Sequence, residues 1–116
     1  MQVEVLENAP AIDLGQAALE FAAEVAGASE RKKKTLPAPA GLQTFFLYVR
    51  AQGYVPVHAV SGPITIQSIF GRARVTTDKQ DYELEEGEIV ALGAGVPHDV
   101  SAMRETVLLV THALRD

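Results

Sequence analysis

The chain contains no cysteine. Disulfides, iron–sulfur clusters and thiol chemistry are therefore excluded, and a reducing cytoplasmic setting is the expected one. Long apolar runs are missing too, since none approaches the ~18 residues of a membrane span. The opening MQVEVLENAPAID lacks a basic segment followed by an apolar one, so no signal peptide is expected. Positive charge is scarce: 10 Lys and Arg stand against 15 Asp and Glu, a net charge of −5. That balance argues against a nucleic-acid partner, which favours a basic surface. The one basic cluster, RKKK at 31–34, reads as a solvated helix end or linker rather than a phosphate-binding patch. The chain has no G-x-S-x-G elbow and no H-E-x-x-H helix. Gly93 and Gly95 in LGAGVP resemble a nucleotide loop only superficially, because no helical pattern follows them.

What is present suits one globular domain. The 116 residues are 47% hydrophobic and 22% charged, enough for a single core. In DLGQAALEFAAEVAG the apolar residues Leu14, Ala17, Ala18, Phe21, Ala22 and Val25 recur at helical spacing. Asp13 is a suitable N-cap and Gly27 a plausible stop, which predicts one amphipathic helix over about 13–27. Its polar face carries Glu20 and Glu24, which disfavours a membrane surface. Pro37 and Pro39 then break any helix, so residues up to 36 form an N-terminal segment and linker, with a short edge strand near 33–36.

From 37 to 116 the pattern changes to an all-β domain. LQTFFLYVRA, YVPVHA, PITIQSIFG, RARVTT, YELE, EIVALG, HDVSA and TVLLVTHAL are short, rich in β-branched and aromatic residues, and separated by turn residues. TTDKQDY reads as a hairpin turn. The acidic run DYELEEGE reads as a solvated, aggregation-resistant rim.

Two stretches carry the chemistry. GYVPVHAVSGPITIQSIFG holds His58 between Gly53 and Gly71, and GEIVALGAGVPHDV holds His98 behind Gly87 and Gly95. In this order they resemble the two motifs of small single-domain cupins, the double-stranded β-helix or jelly-roll barrel family, and the resemblance covers the whole predicted β part. His58 matches the first histidine of the first motif and His98 the histidine of the second. The departures are Val60 in the place of the second histidine, Ile64 in the place of the carboxylate, and Gly93 in the place of a proline. Metal-binding members use three histidines and that carboxylate, so the resemblance implies two surviving ligands, His58 and His98. A divalent ion (Zn, Ni, Fe or Mn) would then be held weakly, because such metals prefer four to six donors.

Strand alternation extends this reading. With His58 inward, Val60 follows; with Ile64 inward, Ile66, Ser68 and Phe70 follow and Gln67 faces out. A one-residue shift at Ser61-Gly62-Pro63 would turn Gln67 in and offer an amide oxygen. Beside His98, Val100 and Ala102 share its face. Phe46, Tyr48 and Arg50 share one strand face and are candidates to line the pocket, although Arg50 could equally reach solvent. His112 lies outside both motifs, and a surface or interface role is expected for it.

Three functions remain open at this point: a small-molecule pocket around His58 and His98 with no assignable activity, a metal-dependent enzyme of oxygenase or isomerase type with an incomplete ligand set, and a non-catalytic interaction protein. A metal-free enzyme using one histidine as general base is a variant of the second. TFFLYV and TVLLV are apolar at consecutive positions, which demands cover on both strand faces. The helix is expected to cover only part of that surface, so a homodimer is expected to bury the rest.

Overall fold

The computed structural model describes residues 11–114. One helix, α1 (Leu14–Val25), precedes nine strands: β1 (Arg31–Leu36), β2 (Leu42–Val49), β3 (Tyr54–His58), β4 (Ile64–Phe70), β5 (Ala73–Thr77), β6 (Asp81–Leu84), β7 (Ile89–Leu92), β8 (His98–Ala102) and β9 (Thr106–Ala113). They form two antiparallel sheets, ordered β1-β2-β9-β4-β7 and β3-β8-β5-β6. The core between them includes Ile64, Ile66, Val75, Leu84, Val100, Leu108 and Val110.

The helix starts where its cap predicts: the Asp13 carboxylate accepts from the Gln16 N–H at 3.2 Å. It ends before Gly27, whose φ of +79° leaves the helical region. Its stripe of Ala18, Phe21, Ala22 and Val25 is buried on the outer face of the first sheet, against Phe46, Tyr48 and Val107. The Phe21 and Phe46 rings stack with centroids 6.1 Å apart.

Three expectations change here. The basic run 31–34 is neither a helix end nor a linker. It is the body of β1, paired along β2 from Arg31↔Val49 to Leu36↔Thr44, so the edge strand expected near 33–36 is present and starts two residues earlier, at Arg31. Four consecutive cations hide strand character from a propensity reading, yet charge is what protects an edge strand from pairing with another chain. Second, Phe46 and Tyr48 face away from the cavity: α1 packs on the outer face of the first sheet and buries them with Val107 to 2% exposure or less. Third, Phe70 does not follow Ser68 inward. The β4–β9 register shifts between Ser68 and Phe70, and the phase change places Ile69 and Phe70 with the helix cluster.

Candidate functional site

His58 reaches the interior because of a bulge. Pairing of β3 with β8 runs Tyr54↔Ser101 and Val55↔Val100, then jumps to His58↔His98. Between them lies Pro56, which has no N–H to donate to a ladder. The extra residue turns Val57 out, where it is 61% exposed, and brings His58 onto the inner face with Val55. His98 opens β8, and regular alternation then carries Val100 and Ala102 inward beside it.

The two rings sit with centroids 4.4 Å apart, tilted by 57°. Each Nδ1 contacts a backbone carbonyl two residues back: His58 the Pro56 oxygen at 3.0 Å, His98 the Val96 oxygen at 3.1 Å. A carbonyl only accepts, so each Nδ1 carries the proton, and in the neutral rings both Nε2 atoms hold free lone pairs. This tautomer suits a metal ligand, a hydrogen-bond acceptor or a general base. His98 is 2% exposed. Burial pulls its pKa below the usual histidine value, and His58 adds to that against the opposing Val96 carbonyl bond, so the ring is neutral at pH 7. His58 is exposed at the rim.

Both rings line one cavity of about 220 Å³, walled by apolar side chains including Phe45, Leu47, Ile66, Val100, Leu108 and Val110. Val60 and Ile64 line it as the strand phase predicts. Gln67 lies on the opposite strand face from Ile66 and does not reach the cavity, so the one-residue shift does not occur. Phe46 and Tyr48 do not line it either. Phe45 and Leu47 take that face, while Phe46 and Tyr48 pack under α1. Tyr48 donates to the Glu105 carboxylate at 2.7 Å, and its phenol is pushed up to about 12, first by burial and then by that acid. Arg50 is exposed past the end of β2 and lies away from the histidines. TFFLYV has no alternation by which its phase could be read.

His112 was expected at the surface, and the structure turns it inward. It pairs with Gln43 on one side and Ile64 on the other, in phase with Leu108 and Val110, and lines the same cavity with Gln43. Its Nε2 is buried without a hydrogen-bond partner among the described residues. The alternation Leu108, Val110, His112 was the available signal.

A resident metal does not fit this donor set. Among the described residues no group of three or more histidines, cysteines or carboxylates converges to hold an ion. Val60 and Ile64, which stand where the resemblance puts the missing ligands, line the same cavity and offer no lone pair. His112 lines the same cavity but does not converge with the other two on one point, and two imidazoles make half a site.

No protein-family model matches the chain, and no curated protein matches it. Solved structures do. A conserved protein of unknown function from Streptococcus pyogenes is similar with a TM-score of 0.75 at 20% identity, over 94% of this chain and 90% of that one. A cupin superfamily protein from Desulfitobacterium hafniense is similar with a TM-score of 0.71 at 17% identity, covering 80% and 87%. A salicylate 1,2-dioxygenase from Pseudaminobacter salicylatoxidans is similar with a TM-score of 0.72 at 16% identity, over 90% of this chain but only 34% of that one. At such identities the likeness is one of fold. Taken with the two motif stretches and the paired sheets, it shows that this chain is a small domain of cupin fold.

Proposed function

We propose that this domain binds a small molecule in the cavity beside His58 and His98, and that it holds a divalent metal ion only weakly. The observation that carries this reading is the pair of rings at 4.4 Å, each pinned through Nδ1 so that Nε2 is free, inside an open apolar cavity. Apolar walls with a few fixed polar groups are the usual make-up of a ligand site. The cavity is smaller than the ~300–1,000 Å³ typical of drug-sized ligands, which points to something of metabolite size.

An enzyme of oxygenase or isomerase type draws support from the dioxygenase among the fold neighbours. The count of donor atoms opposes it as a metal enzyme. A purely interaction-based role draws less support, since side chains do not block the cavity.

Thermal unfolding of untagged protein with added zinc or nickel tests the metal part. A ligand that binds only the folded state raises the melting temperature once its concentration exceeds Kd. A small rise, reversed by chelator and abolished in His58→Ala, is expected. A stoichiometric metal that survives chelator dialysis would overturn the weak-site reading and require donors beyond the two histidines.

A further inference from the structure

The chain carries 15 acidic residues and a net charge of −5, yet among the described residues no carboxylate lines the histidine cavity. The charged residue that does line it is Lys33, on β1. A second hollow of about 420 Å³ shares Lys33, Phe45, Leu47 and His58 with the first and adds Arg31 and Lys32, again with no acid. The histidine cavity therefore continues into a cleft bounded by the edge strands β1 and β3, and among the described residues the charged side chains lining that cleft, Arg31, Lys32 and Lys33, are positive.

The geometry of β1 explains the pattern. Alternation puts Arg31 and Lys33 on the same strand face. Arg31 donates to the Tyr54 carbonyl at 2.8 Å, which ties the edge of one sheet to the edge of the other. The Lys33 ammonium stands 4.5 Å from the centroid of the Phe45 ring, on the cavity wall. Among the described residues the ion pairs are Arg72–Glu83 and Arg74–Glu83, so Lys33 has no carboxylate partner there. A cation laid along an apolar wall, with no acid beside it, is suited to an anion that brings its own apolar body.

Building on the small-molecule reading, we infer that the ligand is a small organic monoanion, a carboxylate on a short aliphatic or aromatic body, with its charge at Lys33 and its body over Leu47, Ile66 and Val110. Lys33 is exposed, so water solvates the ammonium when the cleft is empty; an anion gains a charge-assisted bond there that a neutral ligand lacks, and a cation would meet Arg31 and Lys33 on entry.

The test uses two matched pairs, hexanoate with hexanamide and benzoate with benzamide. Each is titrated into the full chain and followed by ¹H–¹³C NMR of the histidine rings and cavity methyl groups. The acids should bind about tenfold more tightly than their amides at low salt, as expected of a charge-assisted hydrogen bond at a partly solvated lysine. Lys33→Gln should remove that preference by weakening the acids far more than the amides, and Lys33→Arg should retain it. Added salt should narrow the gap. Equal binding of acids and amides, or a preference that survives Lys33→Gln, would overturn the anion assignment and leave the pocket reading standing. Failure of all four probes to move the cavity signals up to their solubility limits would overturn both.

Discussion

Two glycines that look alike in the sequence should behave very differently when replaced by alanine. Gly71, which closes the first motif, has a φ of +90°, and Gly87, which opens the second, has a φ of +88°. A side chain in the left-handed region costs roughly 1–2 kcal/mol in either case. The surroundings differ. A Cβ on Gly87 meets nothing within 4 Å, whereas one on Gly71 would lie 2.5 Å from Thr106 Oγ1 and 2.7 Å from Thr106 Cα, and against the Glu105 carbonyl oxygen. Those atoms cannot give way easily. Thr106 is fully buried and donates its one hydroxyl proton to the Arg104 carbonyl at 2.7 Å, with the Arg72 carbonyl 3.2 Å from the same oxygen, while Ser68 donates to the Gly71 carbonyl at 3.2 Å. Forcing the turn away from β9 adds about 2 kcal/mol of overpacking strain. Gly71→Ala should therefore lose about 3 kcal/mol or more and Gly87→Ala about 1–2 kcal/mol. For a domain of this size each kcal/mol is worth roughly 4 °C of Tm. Urea unfolding gives the difference directly. Equal losses would show that the β4–β5 turn does not sit against Thr106 as described.

Three further outcomes are expected. His98 has a pKa below the unfolded value of 6.5, so the unfolded chain takes up its proton first as pH falls. Its contribution to stability is complete above pH 6.5 and declines below it until the folded ring protonates, and unfolding midpoints from pH 8 to 5 should show a decline that His98→Gln reduces. Replacing Val60 by His and Ile64 by Glu together should destabilise the metal-free protein, by about 3 kcal/mol or more, since Ile64 is 6% exposed. Zinc should then restore stability in the double variant far more than in the parent; no metal response would show that these positions do not face His58 and His98. Sedimentation at micromolar concentration should report about twice the 12.4 kDa chain mass, because α1 covers only part of the apolar surface and leaves Leu19, Leu42, Tyr54, Val57 and Ile89 exposed. A mass near 12.4 kDa would show that α1 and the loops cover the sheet unaided.

Much of this was legible from residues alone, for identifiable reasons. Strands that alternate, such as HDVSA, could be placed and phased because period two leaves a mark. The helix was legible through its stripe and its Asp13 cap. Three things escaped, each where the alternation signal fails or was not followed. TFFLYV is apolar on both faces, because one face meets the cavity and the other meets α1, so Phe46 and Tyr48 were assigned the wrong side. The basic β1 has the charge of a linker and the pairing of a strand, and only the register with β2 reveals Lys33 on the cavity wall. His112 belonged to no motif, although its phase with Leu108 and Val110 already turned it inward. The bulge at Pro56 had a sequence cause, but its direction was not readable, and it decides where His58 points.

The claim at the centre of the account is that His58 and His98 present free Nε2 atoms to one shared space. Long-range ¹H–¹⁵N correlation of the histidine rings at pH 7.5 measures this atom by atom. The account predicts that both rings carry their proton on Nδ1, and that added zinc shifts both Nε2 resonances together along one binding curve while those of His112 do not follow that curve. Protons on Nε2, or a response confined to one of the two rings, would contradict it.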